Sequence, residues 1–395
     1  MSQERLKILI ALSYYVPHRT GLTVHVQHVA EALAARGYDV TVLAARHSLD
    51  LPRDETVNGV RIVRLWAPIH ISRGMIMPMY PFALYAFMRR FDVVFINTPM
   101  LETALVAVIA QMTGKQVVVT HHGDLVLPSG SLMNRMIETV MLSFFRYMAK
   151  RSARLIAYSH DYAENSYYLK PFLDKVSVIY PPIKMPLPDP ERVRELHAQW
   201  SHNGGPVIGY CGRFVAEKRP DVLIRSLEVI NKKYPNARIV FAGQYEIPYE
   251  HTWETLQPLI QQYADQLTFL GLITSSEALA NFYAACDVFV LPSDTECFAL
   301  VQVEAMLSGT PVIMTDTPGG RIPVTVTGMG KITPRGDSQQ MGQAIIDVLE
   351  TPDRYKKSRA EIDRTFNFDE TINRYEEQFR SAAQWRRKRL SNEPE

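Results

Sequence analysis

Glu296 and Glu304, separated by seven residues, together with Arg213, Lys218 and His122, are the side chains of this sequence whose types and spacing could do chemistry. Glutamates accept hydrogen bonds from hydroxyls, and an arginine and a lysine neutralise phosphate. The segment Leu291 to Val312 shows how the glutamates would be placed. Val288 to Leu291 reads as a short apolar strand, Pro292 to Cys297 as a polar turn and Phe298 to Leu307 as a helix; Gly309 ends the helix and Pro311 to Met314 opens the next strand. The first amides of that helix, around Phe298, Ala299 and Leu300, have no intrahelical acceptor, and the helix dipole is positive there. A diphosphate suits that position. Glu296 in the turn would accept from sugar hydroxyls, and Glu304, about two turns into the helix, from a ribose.

Three further strand-end loops hold polar residues. Arg213 and Lys218 follow the strand Val207 to Cys211, where a forked guanidinium and a mobile ammonium would stabilise a departing diphosphate. Pro17 to Gly21 precedes a helix expected to begin near His25. After the strand Val117 to Thr120 come His121, His122, Gly123 and Asp124. His25 reads equally as a structural helix histidine, and Asp124 equally as a turn cap.

Glu296-x7-Glu304 followed by Ala-Met-x-x-Gly-Thr-Pro-Val resembles the signature of retaining glycosyltransferases of family 4, which have the GT-B fold. Gly212 to Ile224 resembles that family's glycine-arginine-x4-lysine element, Phe269-Leu-Gly-Leu272 its nucleobase loop, and Gly21 to Leu43 its opening strand-loop-helix. The resemblance covers nearly the whole chain and implies two doubly wound Rossmann-like α/β domains facing each other across a cleft. It implies a nucleoside-diphosphate sugar, UDP- or GDP-linked, as co-substrate, with no metal and no other cofactor. His122, Glu296, Arg213 and Lys218 would act at the reacting centre. Gly21, Arg213, Lys218, Gly243, Leu272, Glu296, Phe298, Ala299, Leu300 and Glu304 would hold the donor, and Thr20, His25 and Asp124 the hydroxyl acceptor. Three departures stand out: Thr20 replaces the first of two adjacent glycines, Arg219 stands where glycine is common, and Gln244 follows Gly243 where a second glycine is frequent. A nucleotide-sugar epimerase of the same fold and a non-catalytic sugar-nucleotide-binding regulator are the competing readings.

The rest of the sequence must position these loops. At 395 residues, with 47% hydrophobic and 21% charged residues, it suits two domains with separate cores. Strands alternate with helices in both halves, the pattern of parallel sheets with crossover helices. The expected division is residues 1–182 for the acceptor, a proline-rich hinge over 183–205, residues 206–365 for the donor, and a helix within 366–395 crossing back to the first domain. A net charge of +2 gives no nucleic-acid signature, and the three cysteines lack metal-ligand spacing and suit a reducing compartment.

No secretory signal is visible, and no apolar run approaches the roughly 20 residues of a membrane span. A cytoplasmic protein, or one peripheral at the cytoplasmic face of a membrane, is therefore expected. Met133, Met136, Ile137, Val140, Met141, Phe144, Phe145 and Met148 form one apolar helical stripe. It would either pack on the first core or, with Met75 to Met88 and nearby basic residues, face an anionic bilayer that holds a lipid-linked acceptor. Arg386 to Arg389 would add electrostatic attachment.

Overall fold

A computed structural model describes residues 5–71, 74–125, 132–247 and 250–391, with only the backbone of 70, 71, 74 and 385–391. The basic side chains of Arg386 to Arg389 therefore lie outside the described residues.

The chain forms two compact units, one of Met1–Pro182 with Asp369–Glu395 and one of Ile183–Phe368. In the first, β1 (Lys7–Ala11), β2 (Asp39–Arg46), β3 (Asp54–Val57) and β4 (Val60–Trp66) precede a small hairpin of β5 (Ile69–Ile71) and β6 (Gly74–Ile76). β7 (Val93–Thr98), β8 (Gln116–His121), β9 (Arg154–Ala157) and β10 (Val176–Val178) follow. The main sheet has the order β10-β9-β8-β7-β1-β2-β4-β3 and is parallel except at the β3–β4 edge. Ile8 to Ala11 are wholly buried, as expected of a strand covered on both faces. Asn58 and Gly59 both take positive φ, 49° and 80°, the requirement of a two-residue hairpin turn that joins β3 to β4. The sequence pattern showed β4 but neither β3 nor the β5–β6 hairpin, because β3 is exposed or half-buried throughout and strands of three or four residues carry little periodicity.

The second unit has β11 (Val207–Cys211), β12 (Arg238–Ala242), β13 (Leu267–Phe269), β14 (Val288–Leu291), β15 (Val312–Thr315) and β16 (Gly330–Thr333), all parallel, in the order β13-β12-β11-β14-β15-β16. From β11 the chain steps outward to β12 and β13, then returns to β11's other side as β14. The loops leaving β11 and β14 consequently start side by side at the carboxyl ends of the strands where the strand order reverses, the place where open α/β sheets hold ligands. In the first unit the same reversal falls between β1 and β7.

Residues 183–205 are not the expected hinge. Asp189 caps a helix, Pro190–Trp200, by accepting from the amides of Glu191 and Arg192, and the proline occupies the first helical turn, where its missing N–H is harmless. Trp200 is buried with its ring 5.9 Å from Phe282, so the segment is part of the second unit. The chain passes between units at Pro182 and again at Phe368.

From Asp369 onward, the helix Phe368–Ser391 belongs to the first unit. Tyr375 and Phe379 on it are fully buried, and the Phe379 ring packs edge-on to Phe95 of β7 at 5.2 Å. Arg36 adds ion pairs to Asp369 at 3.1 Å and Glu376 at 3.3 Å. Phe379→Ala should therefore destabilise the first unit by about 3–5 kcal/mol and leave the second within about 0.5 kcal/mol, read as separate transitions in urea unfolding of the full chain. An unshifted first transition would show that this helix does not close the core.

Candidate active site

In the second unit, the pairing of β11 with β14 sets the loop Gly212–Arg219 beside the loop Pro292–Ala299. Three links join them. The Asp294 amide donates to the Glu217 carbonyl at 2.8 Å, Lys218 Nζ donates to Glu296 Oε1, and Arg219 grips Asp294 at 3.1 and 3.4 Å. Ser293 Oγ also donates to Glu296 Oε1, at 2.9 Å. The lysine and glutamate expected to serve phosphate and sugar are thus brought together and face each other. Arg213 is more open, with its guanidinium 4.0 Å from Glu217.

Arg219, in the place where a glycine was expected, has φ 48° and ψ 47°, the left-handed conformation glycine favours. Such a backbone costs an arginine roughly 1–2 kcal/mol. Two carboxylates hold it there: Asp221 accepts from Nε and from one terminal nitrogen at 2.9 and 3.0 Å, and Asp294 from the other. Ala299 is the second such residue, with φ 60° and ψ 82°. The remaining non-glycine residues of positive φ among those described are asparagines, which tolerate it in turns. Backbone strain at functional sites is a recurring pattern, and here it lies on both sides of the Lys218–Glu296 pair.

The helix after Glu296 is Leu300–Leu307, two residues shorter at its start than the pattern indicated, because Ala299 turns left-handed at its N-cap. No side chain caps it, so its first amides keep no side-chain acceptor and the positive end of its dipole lies there, which suits an anion. Phe298 lies outside the helix and is buried edge-on to Phe366 at 5.7 Å. Burial and the neighbouring Glu296 push the Cys297 thiol up to about 12, although Lys218 and the amides of 297 and 298 pull the other way. Glu304 accepts a 2.8 Å hydrogen bond from Tyr283 Oη, which fixes one carboxylate oxygen. Tyr283 was not singled out from the sequence, where it sits in an ordinary apolar helix pattern.

Gly243 has φ 124°, and a Cβ there would fall 2.2 Å from the Gly212 carbonyl oxygen. This glycine lets the β11 and β12 loops touch backbone to backbone, and its amide continues to the Gly271 carbonyl at 2.8 Å. Leu270 and Leu272 beside it are exposed, Leu272 at 67%, and offer an apolar rim to a flat ring. After Gly243, Gln244 Nε2 donates to the Glu246 carbonyl, and the Tyr245 ring lies tilted against Trp253 at 4.7 Å and edge-on to Phe269 at 5.8 Å.

In the first unit, the opening helix is Gly21–Ala35, so His25 lies inside it rather than at its start. Thr20 is its N-cap: its Oγ1 accepts from the Thr23 amide at 3.2 Å, and Thr23 Oγ1 accepts from the Thr20 amide at 2.7 Å. A threonine where glycine was expected is therefore a cap in extended conformation.

His25 and His122 belong to one polar array. His122 Nε2 lies 2.7 Å from Asn97 Oδ1 and Nδ1 lies 2.6 Å from Tyr158 Oη; Tyr158 Oη continues to His25 Nδ1 at 3.1 Å. His25 Nε2 meets Tyr375 Oη at 3.0 Å, which reaches Thr120 Oγ1 at 3.2 Å. Burial holds both imidazoles neutral, with His122 pushed down to about 3 and His25 well below its ordinary value. Both ring nitrogens of His122 thus serve protein partners, and the sugar contact expected of it would require Asn97 or Tyr158 to yield. Asn97, Tyr158 and Tyr375 carry no sequence signal, since they come from distant segments. Asp124 is the turn anchor of the two alternatives: its carboxylate accepts from His121 Nε2 at 3.0 Å, Ser166 Oγ at 2.7 Å and the Tyr167 amide at 3.1 Å. Among the described residues, no group of three or more His, Cys, Asp or Glu is placed to hold a metal ion.

Two family models match: "Glycosyl transferases group 1" over residues 193–364 and "Glycosyl transferase 4-like domain" over 20–182. An uncharacterised glycosyltransferase of Methanocaldococcus jannaschii is 26% identical over 330 residues, 80% of this chain and 81% of that one. A D-inositol 3-phosphate glycosyltransferase of Mycolicibacterium smegmatis is 30% identical over 169 residues, which span 42% of this chain and only 38% of that enzyme. Among solved structures, Anabaena HepE in complex with UDP-glucose superposes with a TM-score of 0.76 at 18% identity, covering 95% of this chain and all of that one. With a family model on each unit and GT-B neighbours along nearly its full length, the chain is a glycosyltransferase of the GT-B fold and the family 4 type.

Proposed function

We propose that this glycosyltransferase takes its sugar from a nucleoside-diphosphate donor, UDP- or GDP-linked, and transfers it to a hydroxyl with retention of configuration. The observation that carries the reading is the paired Lys218 and Glu296 beside the uncapped helix Leu300–Leu307. Donor diphosphate draws Lys218 to itself, Arg213 and the helix amides add to the neutralisation, and Glu296 is released to accept from sugar hydroxyls. Glu304, steadied by Tyr283, accepts from the ribose, and the Leu270–Leu272 rim takes the base. Leaving-group charge is met by these side chains without a metal. The departing phosphate takes the acceptor proton, so no protein base is required, in keeping with His122, both of whose ring nitrogens are engaged by Asn97 and Tyr158. The HepE complex with UDP-glucose supports a uridine donor, which a panel of UDP-, GDP- and ADP-sugars scored by thermal shift would identify. Lys218→Ala should then lower turnover by roughly 10²-fold with the fold intact. Near-normal kinetics in this variant would reject the phosphate site, and conversion of the donor sugar with no acceptor present would favour an epimerase.

The acceptor reading rests on the first unit. The stripe on helix Leu132–Arg151 divides: Met141, Phe145 and Met148 enter the core, whereas Met133, Met136, Ile137 and Val140 stay exposed. Helix Thr103–Met112 packs on this helix and helix Tyr80–Met88 packs on Thr103–Met112; on these two, Met112 and Phe82 are 68% and 69% exposed, and Arg89, Arg90, Arg135 and Arg146 are exposed as well. No helix among the described residues is long and apolar enough to cross a membrane. An apolar face accompanied by cations fits an anionic bilayer surface, and so a lipid-linked acceptor at the cytoplasmic face. The purified protein should float with vesicles containing anionic lipid at low salt and release them as ionic strength rises, since surface attraction is screened within about 1 nm. Absence of co-flotation at low salt would remove the membrane and favour a soluble acceptor, such as the one named for the inositol phosphate enzyme.

A further inference from the structure

Lys218 and Glu296 hold each other only until a donor arrives. Once Lys218 swings to phosphate and Glu296 to hydroxyls, their mutual link is gone, and something else must keep the two loops at the separation that suits the diphosphate and the sugar together. Two of the three links described above survive that exchange. The Asp294 amide to Glu217 carbonyl bond is a single neutral contact. Arg219 is stronger and more directional, since its planar guanidinium binds Asp221 on its own helix and Asp294 on the facing loop. Arg335 Nη1 adds a 3.3 Å contact to the Asp294 carbonyl and fixes the same residue from its other side.

We propose that Arg219 is a positioning residue for the donor site, a clamp that holds the Glu296 loop in register with the Lys218 turn while their own ion pair opens. The inference rests on the donor-site reading of Lys218 and Glu296. It assigns to Arg219 what a glycine at this position cannot provide. Glycine would satisfy the left-handed backbone without strain but leave Asp294 without its arginine. The arginine accepts the strained backbone, and its side chain then reaches Asp294 from a position adjoining Lys218 in the chain. Asp294 is likewise a positioning residue, two places before Glu296.

The substitution Arg219→Gly separates the two roles, because it relieves the backbone and removes the guanidinium that spans Asp221 and Asp294. Titration calorimetry of UDP, GDP and ADP with the full-length protein supplies a readout independent of acceptor identity. The variant should keep or raise the wild-type melting temperature, yet bind the preferred nucleoside diphosphate at least 5-fold more weakly. Asp294→Asn should show the same loss, and the double variant should lose little more than either single change. Arg219→Lys, which restores one charge in place of the fork, should recover part of the affinity. Hydrogen exchange at Asp294 to Cys297 should quicken in the glycine variant with nucleotide bound. Wild-type affinity in Arg219→Gly overturns the clamp, as does a loss of affinity accompanied by a matching fall in melting temperature, which marks a merely structural role. If the wild type binds none of the three nucleotides, the donor-site reading falls and the clamp with it.

Discussion

The parallel pairing of β11 with β14 is the constraint on which the candidate donor site depends. Sequence neighbours in this unit run β11, β12, β13, so only the return of the chain to β11's free edge brings residues near 215 against residues near 295. The register then decides which side chains meet. Ile208 and Gly209 of β11 lie against Val288 and Phe289, and the two strands end at comparable depth, so both loops begin from the same edge of the sheet. Lys218, Arg219, Asp294 and Glu296 owe their proximity to that edge rather than to any local preference of their own.

The first unit achieves fixity by a different means. Its strand-end residues are locked by neutral hydrogen bonds among histidines, tyrosines, a threonine and an asparagine. Desolvation disfavours charge on either imidazole, so the array is held by direction and distance, not by Coulomb attraction. The second unit therefore joins its strand-end loops through charged contacts, while this one holds a polar core through neutral ones.

Much of this was legible beforehand, for reasons that differ from residue to residue. Fully buried parallel strands such as Ile8 to Ala11 and Val288 to Leu291 read as apolar runs, and strand-end loops follow from them. Glu296, Glu304, Arg213 and Lys218 stood out because their spacing is bound up with a strand, a turn and a helix in fixed order, and of these Lys218 and Glu296 meet in the structure. The partners of His122 and His25 were not found, since Asn97, Tyr158 and Tyr375 are gathered only by tertiary packing. Thr20 and Arg219 were visible as departures from glycine, but a sequence cannot show that one is a cap and the other is gripped by two carboxylates. Periodicity placed Met133 and Met148 on one helix face correctly, yet could not say that the core covers only the later half of it. The proline-rich stretch misled because Pro190 opens a helix there instead of breaking one.

The helix Phe368–Ser391 has a bearing on how the chain is made. Its buried Tyr375 and Phe379 complete the core of the unit that the ribosome begins first, but they emerge only after the whole of Ile183–Phe368 has been synthesised. Through that interval β7 and β8 present an uncovered apolar face where the last helix will dock, and His25 and Thr120 wait for the tyrosine that joins them. The second unit, continuous in sequence, has no such interval and can fold as soon as it is released. Synthesis order and folding order are thereby inverted: the part of the protein translated first is the last to close, and its exposure to chaperones or to aggregation is set by the translation time of the other.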